Sequence, residues 1–161
     1  TMVALQPALG GLYRRLDQST STAVQYCANA AHGACNWLCA KDDPTGFCRA
    51  CDLNRTIPDI SQPNNLKAWR DLEQAKKRLV YSLMRFELPF SNREVPKGPL
   101  AFDFLRHAPT GHLDGVITID VTEADAVERE RQRQLFGEPY RSLLGHLRHE
   151  SGHYYSMVLV E

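Results

Sequence analysis

Three residues near the end of the chain, His149, Glu150 and His153, have the types and the spacing to hold and use a metal ion. On an α-helix, positions i and i+4 lie one above the other, so His149 and His153 can aim imidazole nitrogens at one ion. Glu150 follows about 100° round the helix axis, beside the ion rather than on it. In this H-E-x-x-H arrangement the metal acidifies water, and the carboxylate takes the proton and can pass it to a leaving amine. Two neutral imidazoles with an oxygen ligand suit zinc, a borderline-soft ion. A catalytic zinc takes three protein ligands, and no third is evident. His146 lies one turn earlier, but three ligands stacked on one straight helix cannot fan around a tetrahedral ion. It is expected to support the site from outside or to face solvent. His107 and His112 are expected at the surface of a turn. Gly152 is expected to let a neighbouring segment or a substrate approach closely. The competing reading is a surface helix with two stray histidines. Against it, Leu143, Leu144, Leu147, Tyr154 and Met157 form an apolar stripe that requires packing.

A second chemical cluster lies near the other end. All five cysteines fall between Cys27 and Cys51. An odd number in one window does not suit a disulfide framework, and it favours metal ligation in a reducing cytoplasm. Cys48-Arg49-Ala50-Cys51 is a turn whose two thiolates can converge on one ion, and Cys27 and Cys35 supply the other pair at looser spacing. A closed four-thiolate structural zinc site is expected. Cys39 and His32 are spare candidates, and Cys39 reads equally as a buried thiol. A redox C-x-x-C is the rival, without the strand–helix setting of a thioredoxin-like site.

Stepping outward to what must position these groups, 43% hydrophobic and 24% charged residues in 161 suit a globular chain with room for one domain, or for a small module and a partial one. Nineteen basic against nineteen acidic residues give a formal net charge of zero, which argues against nucleic acid as a bulk partner. No apolar stretch is long enough to cross a bilayer, and Thr1–Gly11 lacks the pattern of a signal peptide. Both ends read as cut. Residues 1–26 hold a weak apolar pattern (Leu5, Leu9, Leu12, Tyr13, Leu16) and a polar Ser19–Thr22 run. Residues 27–63 read as loops and short turns needing a metal for stability.

Leu66–Phe86 places apolar residues at three- and four-residue steps, predicting an amphipathic helix capped by Asn64 or Asn65, with Lys76-Lys77-Arg78 on its solvated face. Leu100–Arg106 and Gly115–Val121 alternate and predict an antiparallel β-pair joined by His107–Asp114. Thr122 and Asp125 suggest a capping box for an exposed helix over Glu123–Phe136. Pro139 suits the first residue of a last helix running from about Tyr140 to Val158. The expected architecture is α+β: a zinc-ribbon-like module over 1–63, then a partial zincin-like domain over 64–161 that ends on the motif helix.

The ordered segments Tyr26–Leu38, Phe47–Cys51, Asn54–Asp59, Glu73–Leu83, Gly111-His112, Gly137–Arg141 and Arg148–Tyr155 resemble a bacterial family of zinc-binding metallopeptidases with an N-terminal zinc-ribbon-like domain. The resemblance implies that Cys27, Cys35, Cys48 and Cys51 ligate a structural zinc, that His149 and His153 bind a catalytic zinc, and that Glu150 is the general base. It further implies a peptide or protein substrate and a third ligand from a helical segment beyond Glu161; the charge balance and the lack of a long apolar stretch lead us to expect no nucleic-acid or membrane partner. Additional cysteines precede residue 1 in that family, and Ser156 stands where it favours tryptophan. The alternative is a non-catalytic zinc-ribbon interaction module carrying a truncated or vestigial peptidase region.

Overall fold

The structure, a computed structural model, describes residues 5–7, 13–15, 23–91, 95, 98–137 and 141–160. The architecture is mixed α and β, with three helices and two four-stranded sheets among the described residues. The chain divides into two compact units, Thr1–Asp52 and Leu53–Glu161.

The first unit carries an antiparallel meander of β1 (Leu5–Pro7), β2 (Tyr13–Arg15), β3 (Ala23–Tyr26) and β4 (Leu38–Ala40). Leu9, Leu12, Leu16 and the Ser19–Thr22 run lie outside the described residues. The segment expected as loops and turns contains β4, whose Ala40 pairs with Val24. Among the described residues, the buried apolar set of this unit is Val24, Ala34, Ala50 and the five cysteines. Over residues 23–52 one valine and two alanines are the buried aliphatic side chains, so the buried thiols make up most of the apolar interior described there.

The second unit is built on a sheet of order β5–β6–β8–β7, comprising β5 (Asn54–Thr56), β6 (Ala101–Leu105), β7 (Gly111–Leu113) and β8 (Val116–Asp120). The antiparallel pair expected between Leu100–Arg106 and Gly115–Val121 is not formed; β8 instead pairs antiparallel with β7, from within the expected connection, with His112 opposite Ile117. The strand expected to complete it differs: β6 runs parallel to β8, with Phe102 opposite Ile117. The difference comes from Asp114-Gly115, a two-residue turn with φ of 48° and 85° that reverses the chain just before β8. Asp-Gly with both residues in the left-handed region makes a tight hairpin. The long connection from β6 therefore contains a strand of its own. A Cβ on Gly115 would lie 2.8 Å from the Pro99 carbonyl oxygen, so no other residue fits there without displacement.

Helix α1 spans Pro63–Arg85, with Gln62 as its N-cap and Pro63 opening the first turn. Asn64 and Asn65, expected as caps, lie inside it, and Asn65 Nδ2 instead donates to the Asp59 carbonyl at 3.0 Å. Its core face buries Trp69, Leu72, Leu79, Val80 and Leu83. Lys76 was expected among solvated charges, and its side chain is fully buried. Its ammonium meets Glu73 Oε1 at 2.9 Å, bonds the Asn54 side chain, and stands 5.6 Å from the ring centres of both Phe102 and Phe104. Burial of a charge is tolerable because every side of the ammonium finds an acceptor or an aromatic face.

After β8, a 3₁₀ turn over Val121–Ala124 leads into α2 (Ala126–Leu135), which buries no residue. Its cap is Asp125, accepting from Val127 and Glu128 at 2.8 and 3.3 Å, whereas Thr122 bonds back to Asp120. Helix α3 runs Leu143–Leu159. Pro139 lies outside the described residues, and α3 starts later than expected because Ser142 Oγ caps it by accepting from Gly145 N at 3.0 Å. Leu147 and Tyr154 are its fully buried anchors. Among the described residues, no helix is long and apolar enough to cross a membrane.

Candidate metal centres

Cys27 follows β3, Cys35 precedes β4, and Cys48 and Cys51 sit on a turn whose Cys51 and Asp52 amides both donate to the Cys48 carbonyl at 2.9 Å. All four thiols are buried, with ligand atoms within 4.8 Å of one another, and Cys35 and Cys48 sulfurs are 3.6 Å apart. Tetrahedral zinc with Zn–S of about 2.3 Å sets sulfurs about 3.8 Å apart, so the cluster already has the size of a four-thiolate cage. Amides of Trp37 and Cys48 point at the Cys35 and Cys27 sulfurs, each at 3.4 Å, and would support thiolate charge. The hydrogen bond with Cys35, with burial adding to it, pushes the Cys48 thiol up to about 12. Cys39 lies apart from the cluster on β4, its Sγ 3.4 Å from the Gly46 carbonyl, and burial pushes its thiol up. His32 is exposed and not in the cluster.

On α3, His149 and His153 are exposed and Glu150 is half-buried. The two Nε2 atoms stand 3.2 Å apart, with the rings edge to face at 82°. Zinc–nitrogen bonds of about 2.05 Å at a tetrahedral angle set two ligand nitrogens about 3.3 Å apart. The helix alone therefore presents the imidazole pair at zinc spacing. Nothing lies within 4 Å of a Cβ built on Gly152, so the close neighbour expected there is not found among the described residues. His107 is exposed with φ of 60° at the end of β6.

His146 is placed as a support from outside the motif, while Glu123 and His112 take positions that the sequence did not predict. His146 bonds through Nδ1 to the buried Glu123, which also accepts from Thr110 Oγ1 at 2.7 Å and lies 3.8 Å from Arg141 Nη2. Burial alone would raise the Glu123 carboxyl; His146 and Thr110 outweigh it and hold it below the usual range. This network ties the first turn of α3 to the 3₁₀ turn after β8. His112, expected at the surface, is half-buried against α3, its ring 5.9 Å from that of Tyr154 at 76°. Burial lowers its pKa, and the charges of both His153 and Glu150 act on it. The Asp114-Gly115 hairpin was the sequence signal that could have placed it.

Among known proteins, residues 65–161 match the family model described as "putative zinc-binding metallo-peptidase", and residues 1–62 match a zinc-ribbon domain. An uncharacterized protein of Mycobacterium bovis and uncharacterized proteins of two strains of Mycobacterium tuberculosis are each 43% identical over 142 residues. These matches cover 85% of this chain and 42% of each relative, so the chain spans less than half the length of the curated relatives it matches. No solved structure matches it. The H-E-x-x-H helix and the four-thiol cage fall within the matched segments, and the chain belongs to this zinc-binding metallopeptidase family, with a zinc-ribbon domain at its N-terminus.

Proposed function

We propose that the chain is part of a zinc-dependent peptidase. His149 and His153 hold the hydrolytic zinc, Glu150 is the general base, and Cys27, Cys35, Cys48 and Cys51 hold a second, structural zinc. The observation that carries this reading is the 3.2 Å separation of the two Nε2 atoms on one exposed helix face, with Glu150 one residue on. Zinc there supplies a Lewis acid that polarises a carbonyl and lets water ionise near neutral pH. Glu150 takes the proton of the attacking water and returns it to the leaving amine. The buried Glu123 carboxylate, bonded to His146, fixes the turn of α3 that precedes both ligands.

A third protein ligand is needed, and among the described residues the only group of three or more close ligands is the cysteine cage. We assign the third ligand to a part of the protein outside this chain, in keeping with relatives more than twice as long as the matched part. The same observation favours the second reading, a zinc-ribbon interaction module whose peptidase region is inactive. Peptide or protein is the proposed substrate class. Nucleic acid is not, because the Lys76-Lys77-Arg78 run loses its first charge to the core. Five free cysteines suit a reducing cytoplasm. The test is hydrolysis of a denatured protein substrate by the full-length protein. Glu150→Gln should abolish cleavage while zinc content holds; cleavage unchanged by Glu150→Gln removes the peptidase reading.

A further inference from the structure

His112 occupies a position that the two-ligand description leaves unexplained. It is the middle residue of β7, the edge strand of the sheet, and the hairpin turns its ring onto α3 beside Tyr154, the residue after His153. The ring is near enough for the charges of His153, Glu150 and Asp114 to act on it. Its Nε2 accepts a hydrogen bond from the Gly115 amide at 3.1 Å. An imidazole nitrogen that accepts from a backbone N–H carries no proton, so the neutral ring keeps its proton on Nδ1. The tautomer is thus set by the same turn that places the strand. Nε2 is also committed, which disfavours His112 as the missing metal ligand. What remains is one N–H donor on an edge strand whose ring packs against α3 at Tyr154, the residue that follows His153.

We propose that His112 is a catalytic residue: its Nδ1–H donates to the carbonyl oxygen of the scissile bond and stabilises the negative charge that gathers there during attack. A donor held by the fold before the reaction does not have to reorganise as charge develops, which is what makes such donors effective. The proton stays on Nδ1 throughout, and no bond to His112 forms or breaks. The assignment rests on the hydrolytic reading above and adds to it the group that meets the substrate oxygen.

The test uses the zinc-loaded full-length protein and acetohydroxamate, a small oxygen-donor probe that needs no specificity pocket. His112→Phe keeps an aromatic ring against Tyr154 and removes the donor; His112→Gln keeps an N–H. Zinc content should be unchanged in both. Acetohydroxamate should bind roughly ten- to a hundredfold more weakly to His112→Phe, with part of the loss restored in His112→Gln. In the wild type, ¹⁵N spectra should show the His112 proton on Nδ1. Zinc retained with unchanged probe affinity in His112→Phe overturns the assignment alone. Zinc lost in both His112→Phe and His112→Gln, with the circular dichroism spectrum unchanged, overturns it in favour of a ligand role. A wild type without zinc at His149 and His153, or one that does not bind the probe, overturns the hydrolytic reading and this assignment with it.

Discussion

The buried Lys76–Glu73–Asn54 cluster gives the most direct test of the reasoning about the second unit. Both charged side chains have no exposed surface, and Glu73 Oε1 receives Lys76 Nζ at 2.9 Å and Asn54 Nδ2 at 2.6 Å. Lys76→Met fills similar volume and removes the cation that faces the buried Glu73 carboxylate. Breaking a buried pair from one side costs about 3–5 kcal/mol, a large share of the roughly 5–15 kcal/mol that holds a domain folded. With a urea slope of about 2 kcal/mol per M, the unfolding midpoint should fall by about 1.5–2.5 M. Trp69, fully buried on the same helix, reports this unit, and Trp37→Phe in the background removes the other tryptophan. Glu73→Leu with Lys76→Met removes both charges and leaves the Asn54 amide short of partners, at about 1–3 kcal/mol. The double variant should therefore be more stable than the single one. A Lys76→Met protein within about 1 kcal/mol of wild type, or a double variant no better than the single, would refute the account of this core.

Other predictions concern the sites and their supports. Zinc loading of the cysteine cage should release more than one proton per ion, so apparent affinity in chelator competition should drop steeply as pH falls; a pH-independent affinity would contradict a four-thiol cage with Cys48 at about 12. Asp103 is pushed up by burial but held lower overall by Arg55, and Glu123 is likewise lowered by His146 and Thr110. Groups with depressed folded pKa values stabilise fully above the ordinary carboxylate range of about 4, and that stability is lost as pH falls through the folded values. Acid unfolding profiles should therefore flatten in Asp103→Asn and Glu123→Gln, and profiles identical to wild type would speak against both pairings. Gly115→Ala should lower Tm by several degrees, since its φ of 85° and the Pro99 carbonyl 2.8 Å from the new Cβ both oppose it. It should also move the ¹⁵N signals of His112, and an unshifted spectrum would show that the turn does not hold the ring.

Much of the site was legible because it is local. His149, Glu150 and His153 share one helix, and a spacing of four residues fixes their relation without reference to the rest of the fold. The cysteine cage was legible for a related reason: few arrangements other than a metal explain buried thiols in a segment with so little aliphatic content. What was not legible depended on long-range placement. Periodicity cannot tell parallel from antiparallel partners, so β6 was assigned the partner orientation that belongs to β7. Charge pattern put Lys76 on the solvated face, because Asn54, Phe102 and Phe104, which make its burial tolerable, come from distant parts of the sequence. His112 was misplaced by the same error as β6, since a histidine in a loop and one on an edge strand facing a helix look alike until the hairpin is recognised. Glu123 and His146, 23 residues apart, carry no mutual signal in sequence at all.

The central claim is that two separate zinc sites exist, one on the α3 histidine pair and one in the cysteine cage. Native mass spectrometry of the full-length protein, backed by elemental analysis, counts them directly. Two zinc ions per chain are expected, falling to one in His149→Ala with the circular dichroism spectrum unchanged. One zinc per chain, lost in Cys48→Ser and indifferent to His149→Ala, would contradict it and leave the zinc-ribbon interaction module as the better reading.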